Sequence, residues 1–341
     1  MTTRTFDHGG GVRSVEVPIP DNPLGHTLVY VVDTDSGPVL VDTGWDDPAS
    51  WDTLRAGLAA CGTAVSDVHG VVITHHHPDH HGLSDRVREA SGAWVAMHAA
   101  DAAIVSRTRS GTAGQWYAYM AAKLTAAGAP ESHVAPLRRA RGTLPGLSPA
   151  LPDREIVPGD LLPLPGRRLR AIWTPGHTPG HVCLHLEEDH PAQLPGHGRL
   201  FSGDHLLPGI SPHIGLYEDP DDLTVTDPLG DYLDSLERAA RLTPAEILPA
   251  HQHPFTDAPA RVTALLAHHE QRLSGLLSLL TTPLTPWQLA ERMDWNRPWP
   301  QIPYGSRNIA VSEAEAHLRR LVELGRAEAV PGSDPITYVA A

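Results

Sequence analysis

The chain of 341 residues contains little cysteine and almost no lysine. Its two cysteines, Cys61 and Cys183, are far apart and have no ligand-like spacing, so we expect neither a disulfide scaffold nor a cysteine metal site. Lys123 is the single lysine, and arginine supplies nearly all of the positive charge. The formal net charge of −14 disfavours extended nucleic-acid binding unless a local basic patch overrides it.

Segments that direct a chain into or through a membrane are also missing. Residues 1–7 show no basic stretch followed by an apolar one, and no apolar run has the length needed to span a bilayer. Together with the scarcity of cysteine, these features predict a cytoplasmic protein without a membrane partner. The length is sufficient for one large domain with an ample core and a smaller second domain.

Histidine, in contrast, is abundant and concentrated. Five histidines and one aspartate lie within residues 75–81, directly after the apolar run Val71–Ile73. A short β-branched run of this kind predicts a buried strand, and the loop after it would present the polar side chains. Imidazole and carboxylate are the ligands that zinc and similar divalent ions prefer. Because an affinity tag would lie at a terminus, we predict a metal site in this loop.

The spacing of this segment is H-x-H-x-D-H, with His75, His77, Asp79 and His80 at the specified positions. Alternate side chains of an extended loop point the same way, so His75 and His77 can reach one ion. The pattern resembles the first metal-binding motif of the metallo-β-lactamase superfamily. Val41-Asp42-Thr43-Gly44 is similar to the early strand and turn of that family. Three later segments resemble its remaining motifs, in the same order: Thr174–His181, Phe201–His205 and Leu248–His251.

This resemblance covers roughly residues 15–255 and implies a fold of the α/β class. We expect an αββα sandwich as the catalytic domain over residues 1–258, with a helical insert at about residues 101–150. For residues 259–341 the pattern of helix, helix and hairpin predicts a small winged-helix-like domain. The insert either forms a cap over a substrate pocket or packs its aromatic residues against the core or a second copy.

The family also implies a set of metal ligands. His75, His77 and His177 would hold one divalent ion, and Asp79, His80 and His251 a second, with Asp204 bridging the two. Zinc is the expected metal, although manganese or iron in the second position stays open. Asp79 would have a catalytic role as well, because it would orient a hydroxide shared by the ions. Asp42 is expected to support the ligand loop through hydrogen bonds.

Other polar residues near these motifs receive different expectations. His76 and His81 alternate with the ligands and should point elsewhere, and His181 and His253 are the weaker candidates within their motifs. Histidines without motif support are expected to be structural or at the surface: His98, His185, His190 and His197. Substrate contacts are predicted for three residues: His205, Tyr117 and Tyr217.

The implied activity is that of a metal-dependent hydrolase. True β-lactamases of this family typically have cysteine where Asp204 stands, so antibiotic hydrolysis is disfavoured. The leading substrate class is a small acyl compound, either a thioester of the acyl-CoA or glutathione type or a lactone. One alternative is a phosphodiesterase or endoribonuclease acting on single-stranded RNA. A second alternative is a non-catalytic metal-binding regulator that binds DNA through the winged helix.

Two further features bear on partners. The arginine clusters at residues 138–141 and 167–170 are either phosphate-binding patches or ordinary surface arginines. In the C-terminal region, Thr285 and Ser312 each begin a capping-box pattern, and the helix after Ser312 should end at Gly325. That last helix carries several glutamates, which favours packing or homodimerisation over nucleic-acid binding.

Overall fold

A computed structural model describes residues 3–110, 113–140, 150–217 and 225–341 of the chain. Within these residues two β-sheets lie in the part of the chain before residue 250. The first sheet has seven strands in sequential order: β1 (Thr5–Gly9), β2 (Val12–Pro18), β3 (His26–Val32), β4 (Val39–Val41), β5 (Gly70–Val72), β6 (Trp94–Met97) and β7 (Arg154–Glu155). The second sheet has the order β11-β10-β9-β8: β8 (Leu169–Trp173), β9 (Val182–Leu186), β10 (Arg199–Gly203) and β11 (Glu246–Pro249).

The helices fall into three groups along the described chain. The first group accompanies the first sheet: α1 (Pro48–Ala60), α2 (Pro78–His81) and α3 (Ser84–Ser91). The second forms the insert after β6: α4 (Ala99–Ser110), α5 (Ala113–Ala126) and α6 (Glu131–Arg139). The third group consists of α7 (Pro228–Arg241), which lies between β10 and β11 in the chain, and of three helices that follow β11: α8 (Ala258–Leu279), α9 (Pro286–Ala290) and α10 (Tyr304–Glu323). A hairpin of β12 (Ala327–Ala329) and β13 (Tyr338–Ala340) comes after α10.

The alternation of side chains in β3 explains how the layers stack. Tyr30 faces the second sheet, where its ring meets that of Phe201 edge to face with centroids 5.1 Å apart. Val29 and Val31 point to the opposite side and pack with Leu54 of α1. A strand buried on both faces is apolar at every position, because successive side chains go to opposite faces. On its outer side the second sheet is covered by α7 and α8, so the predicted αββα sandwich is confirmed.

Strand direction brings the ligand segments together. β4, β5 and β6 run parallel to one another, as do β10 and β11. Parallel strands end at the same edge of a sheet, and the loops that follow them meet there. The histidine-rich segment follows β5, Asp204 follows β10 and His251 follows β11. The polar residues of these three motifs therefore gather at one end of the sandwich.

The C-terminal region contains the predicted helices and hairpin, with one boundary that differs from expectation. The capping box at Thr285 is present and begins α9, and Gly325 ends α10 in a left-handed conformation with φ 64°. The predicted helix start at Ser312 is wrong, because α10 begins at Tyr304. The Ser312 hydroxyl instead accepts a hydrogen bond from the Leu216 N–H at 3.0 Å, a long-range contact that the local pattern does not contain. The identification of this region as a winged helix, and the domain boundary at residue 258, stay predictions.

The insert packs against the C-terminal region. Leu124 of α5 and Val134 of α6 are buried together with Trp287 of α9 and Val311 of α10. This contact favours the packing interpretation of α5 and α6 over a free cap. Tyr117 lies on α5 and is half-buried beside Trp116, with ring centroids 5.2 Å apart.

Four arginines of the two clusters form ion pairs with carboxylates. Arg138 contacts Glu131 at 2.8 Å, while Arg141 lies outside the described residues. Arg167 pairs with Glu188 at 2.9 Å, and Arg168 and Arg170 both pair with Glu187. These ion pairs favour ordinary surface arginines over phosphate-binding patches. Among the described residues, no helix combines the length and the apolar character that a membrane span requires.

Candidate metal centre

The histidine-rich segment turns sharply at the end of β5. Ile73 still pairs with the neighbouring strand through its N–H, which donates to Ala96 O at 2.9 Å. His77 then precedes Pro78, whose fixed φ suits the first turn of α2. This single helical turn brings His80 back beside His75, with ring centroids 3.9 Å apart. An extended loop followed by one helical turn thus directs three imidazoles of this segment to one place.

The first donor group consists of His75, His77 and His177. His75 Nε2 lies 3.0 Å from His77 Nδ1, and His177 Nε2 lies 3.2 Å and 3.0 Å from these two atoms. A zinc ion bound by nitrogens at about 2.0–2.1 Å in a tetrahedron holds them about 3.3 Å apart. The spacing of the three nitrogens therefore suits one metal ion.

The second donor group consists of Asp79, His80 and His251. Asp79 Oδ2 lies 3.7 Å from His80 Nε2 and 3.4 Å from His251 Nε2. His80 and His251 are fully buried. Their Nε2 atoms have no hydrogen bond of normal geometry with any described residue. A buried polar atom without a partner is costly, and a cation at this position would satisfy both nitrogens at once.

Asp204 connects the two donor groups. Its Oδ1 lies 3.4 Å from His80 Nε2 and 3.1 Å from His251 Nε2. Its other oxygen, Oδ2, lies 3.5 Å from His177 Nε2 in the first group. One carboxylate oxygen on each side is the arrangement of a bridging ligand. All seven residues predicted as metal ligands thus come together around Asp204.

Each imidazole is held by a hydrogen bond from the ring nitrogen that faces away from the centre. His177 Nδ1 donates to His213 O at 2.6 Å, and His251 Nδ1 donates to His26 O at 2.9 Å. His77 Nε2 lies 2.5 Å from the Tyr217 hydroxyl. Partners of this kind fix the tautomer and orientation of a metal-binding histidine.

Asp42 is the partner of His80. It accepts a hydrogen bond from His80 Nδ1 at 2.8 Å, as well as one from the Thr74 N–H at 2.8 Å. The Thr74 hydroxyl contacts Asp42 at 2.9 Å and His75 Nδ1 at 3.1 Å. The predicted supporting position of Asp42 is therefore the position that it occupies.

The pKa values of the donor residues differ between the two groups. Burial lowers the pKa of His177 to about 4, and burial together with the neighbouring histidines lowers the pKa of His75 and His77 well below the ordinary value. These rings are neutral, as metal ligation requires. For His251, burial acts in the same direction, but Asp204 and Asp79 outweigh it and raise its pKa to about 10. Asp204 and Asp79 therefore favour a positive charge at this position, which a bound metal ion would supply.

Histidines that we excluded from the site do lie outside it. His76 Nδ1 contacts Asp101 at 3.0 Å, and His81 Nε2 donates to Ala150 O at 3.0 Å. The ring of His181 supports the bridge, because its Nε2 accepts a hydrogen bond from the Asp204 N–H at 3.2 Å.

The three residues expected to contact substrate lie in different surroundings. Tyr217 is beside the first donor group through its contact with His77. Tyr117 is on α5 and has no described contact with the donor residues. His205 is 0% exposed, with its ring against that of Tyr232 at 5.0 Å. The expectation for His205 needs correction, since this side chain has no surface to offer a substrate.

Asp101 is the functional residue that sequence reasoning missed. It is fully buried in the first turn of α4, and Oδ2 accepts hydrogen bonds from the His76 N–H and the Thr178 hydroxyl, each at 2.8 Å. Oδ1 accepts from the Gly180 N–H at 2.7 Å. The carboxylate thereby joins the segments that carry His77 and His177. The sequence signal for Asp101 is a single acidic residue in the alanine-rich first turn of α4.

Two sheets between layers of helices, with a carboxylate between two histidine-rich donor groups at one end, define a class of metal-binding αββα proteins. A family model described as the metallo-beta-lactamase superfamily matches residues 22–251. The chain belongs to the metallo-β-lactamase superfamily. This membership confirms the family and the metal-dependent hydrolase class predicted from the motifs.

Similar proteins support the same assignment. The probable metallo-hydrolase YqjP of Bacillus subtilis is 26% identical over 310 residues, which are 90% of this chain and 91% of that protein. The lactamase-like protein nscB of Aspergillus fumigatus is 33% identical over 133 residues, but the match spans only 39% of this chain and 34% of nscB.

Solved structures resemble the whole chain. A metallo-beta-lactamase family protein from Thermus thermophilus is 31% identical, with a TM-score of 0.75, and the match covers 97% of this chain and 99% of that chain. A beta-lactamase domain protein from Burkholderia ambifaria is 26% identical, with a TM-score of 0.80, covering 99% and 94% of the two chains. The likeness thus includes the C-terminal region beyond residue 251.

Proposed function

We propose that this chain is a hydrolase that uses two divalent metal ions, zinc in each site, to cleave a small acyl substrate. The preferred class is a thioester of the acyl-CoA or glutathione type, with a lactone as the related possibility. The observation that carries the proposal is the position of Asp204, whose two oxygens face one donor group each. His75, His77 and His177 would hold one ion, and Asp79, His80 and His251 the other.

When bound, a pair of divalent ions lowers the pKa of water towards neutrality and stabilises the negative charge that develops on a carbonyl oxygen. The residues of the chain supply the remaining functions. Burial would raise the pKa of Asp79, but His80 and His251 outweigh this effect and lower it, so the carboxylate stays ionised. An ionised Asp79 within the second group can orient the attacking water and accept its proton.

The hydroxyl of Tyr217 can donate a hydrogen bond to the substrate. If His77 binds metal through Nδ1, its Nε2 carries a proton and donates it to the Tyr217 oxygen. Burial raises the pKa of Tyr217, so the phenol keeps its own proton. That O–H is then available to the carbonyl oxygen of a substrate, where a donor stabilises the developing oxyanion.

The substrate class is supported by chemistry and charge. Within the family, an aspartate at the bridging position accompanies thioesterases and lactonases, as well as phosphodiesterases and ribonucleases, whereas β-lactamases typically have cysteine there. A net charge of −14 with one lysine repels a long polyanion such as RNA. In α10, Arg319 pairs with Glu315 and Arg320 with Asp227, each at 2.8 Å, so these arginines already have carboxylate partners.

A panel of hydrolysis assays tests the proposal. Zinc-loaded protein is incubated in parallel with acyl-CoA esters, S-acylglutathione, lactones and single-stranded RNA. We expect turnover of a thioester, and a loss of about 100-fold or more in kcat for Asp79→Asn, assayed with zinc in excess because Asp79 is also a proposed ligand of the second ion. The matched control is Asp52→Asn, an exposed aspartate on α1 that should leave kcat unchanged.

Cleavage of RNA without thioester or lactone turnover would replace the proposed substrate class with the ribonuclease alternative. Unchanged biological activity in Asp79→Asn, without turnover of any of these substrates, would favour the non-catalytic regulator instead.

A further inference from the structure

A cleft lies between the C-terminal helices and the end of the sandwich that carries the metal centre. Its volume is about 1150 Å³, and its walls come from α8, α10, residues 21–23 and residues 209–211. Two of these walls adjoin the centre. Residues 21–23 precede His26, whose carbonyl holds His251. Gly209 donates its N–H to Gln252 Oε1 at 2.8 Å, next to His251 in the chain.

Two arginines that line this cleft have no carboxylate partner among the described residues. Arg261 donates from Nε to Leu207 O at 2.6 Å and from Nη2 to Ile210 O at 2.7 Å. These bonds fix the guanidinium without neutralising it. Arg261 and Arg297 both line the cleft, and neither forms an ion pair with a described carboxylate. Two fixed or exposed cations in an acidic protein form a local site for an anion.

Neither acidic residue that lines the cleft, Asp21 or Glu313, forms an ion pair with Arg261 or Arg297. Glu313 pairs with Arg272 at 3.1 Å and with His213 at 3.3 Å. Asp21 is exposed and stands in the turn between β2 and β3. Arg272 also lies over the ring of Trp295, with its guanidinium carbon 4.7 Å from the ring centroid.

The cleft also contains an aromatic and an amide side chain. Trp295, Asn296 and Arg297 are consecutive residues that all line it. The part of the Trp295 indole that Arg272 does not cover can contact a nucleobase, an amide can hydrogen-bond to the edge of that base, and arginine binds phosphate through two parallel N–H groups. Pockets for small ligands usually measure about 300–1,000 Å³, so this volume accommodates a large ligand.

We propose that this cleft binds the nucleotide part of a CoA-type thioester, with Arg261 and Arg297 on its phosphates and Trp295 beside its adenine. The inference rests on the proposed thioester hydrolysis and names its substrate class. Glutathione carries carboxylates and no aromatic base, so it would leave the aromatic wall unused. The acyl group would extend from the cleft past the 209–217 loop towards the metal centre.

Binding of coenzyme A to the zinc-loaded protein tests the assignment without any need for turnover. Calorimetry compares wild type with Arg297→Glu and Arg261→Gln, where glutamine removes the charge but keeps an N–H donor. The matched control is Arg241→Glu, an arginine on α7 with a side chain that is 67% exposed. We expect Kd to rise about tenfold or more in the two cleft variants, as for loss of a charged hydrogen bond, and to stay unchanged in the control.

Kinetics provide the second readout. KM for acyl-CoA should rise in Arg297→Glu while kcat is retained, because the interaction is equal in ground and transition states. Both parameters for S-acylglutathione should be unaffected. Coenzyme A affinity equal to wild type in both cleft variants would overturn the assignment, as would single-stranded RNA binding to these residues in place of coenzyme A.

The two proposals fail in different ways. Binding of coenzyme A that depends on Arg261 and Arg297, without hydrolysis of any thioester, contradicts the proposed function and supports the cleft assignment. Turnover of S-acylglutathione, with coenzyme A affinity unchanged by the variants, contradicts the cleft assignment alone.

Discussion

The donor groups on either side of Asp204 are held by different parts of the chain. In the second group, His80 is held by Asp42 directly after β4, and His251 by the backbone carbonyl of His26 in β3. These supports belong to the buried first sheet. In the first group, His77 and His177 contact Tyr217 and the His213 carbonyl, which lie on the 209–217 loop.

That loop is in turn held by α10 of the C-terminal region. Ser312 accepts the Leu216 N–H at 3.0 Å, and Glu313 contacts His213 at 3.3 Å. Burial would raise the pKa of Glu313, but His213 and Arg272 outweigh it and lower the pKa to about 2, so the residue is ionised. The second donor group therefore depends on the sandwich core, whereas His77 and His177 of the first group depend on a helix more than 90 residues later in the sequence. Three substitutions can separate these dependences.

The largest effect is expected for Asp42→Asn. The variant loses a charged acceptor of both His80 and Thr74, and loss of such a partner typically lowers metal affinity by about 10–100-fold. Asparagine tolerates the positive φ of 62° at this position, so the backbone should be preserved. Zinc retained after dialysis against graded chelator measures the effect. Asp52→Asn should retain the wild-type zinc content; equal retention in both variants would contradict the role of Asp42.

A smaller effect is expected for Glu313→Gln, which acts on the first donor group through His213 and the loop. We expect zinc affinity to fall by less than in Asp42→Asn, since the His177 contact is to a backbone carbonyl that remains. Cobalt substitution reports the change as a shifted absorption spectrum of the bound ion. Glu315→Gln is the control on the same helix, where Glu315 pairs with Arg319. If both variants gave the wild-type spectrum, α10 would have no influence on the centre.

The smallest effect on metal binding is expected for Tyr217→Phe. The substitution removes one hydroxyl and keeps the ring that packs against His76 with centroids 5.1 Å apart. Loss of one oxyanion donor should lower kcat by about 100-fold or more, while the zinc content stays near that of wild type. Steady-state kinetics on a thioester give the result. A wild-type kcat would remove Tyr217 from the mechanism, and Tyr119→Phe on α5 provides the matched tyrosine control.

The different supports of the two donor groups also explain which residues could be predicted from the sequence. The ligand segments could be located because each combines a short apolar strand with a fixed local spacing, as in Val71–Ile73 and the histidines after it. Asp42 belongs to such a motif as well. Asp101, Ser312 and Glu313 act across long sequence separations, and only tertiary packing reveals their partners.

His205 and Ser312 illustrate how local reasoning went wrong. His205 follows Asp204 and was expected to face the substrate, but the chain turns after β10 and buries its ring against Tyr232. Ser312 has the sequence of a helix start, yet it lies inside α10, and its hydroxyl accepts a hydrogen bond from the 209–217 loop. In both cases a distant element determined the outcome.

The most direct test for two metal ions on either side of Asp204 is an anomalous-difference map at the zinc absorption edge, collected on crystals of zinc-loaded protein. We expect two peaks on opposite sides of Asp204, one among His75, His77 and His177 and the other among Asp79, His80 and His251. A single peak, or density away from Asp204, would contradict a centre of two ions bridged by this carboxylate.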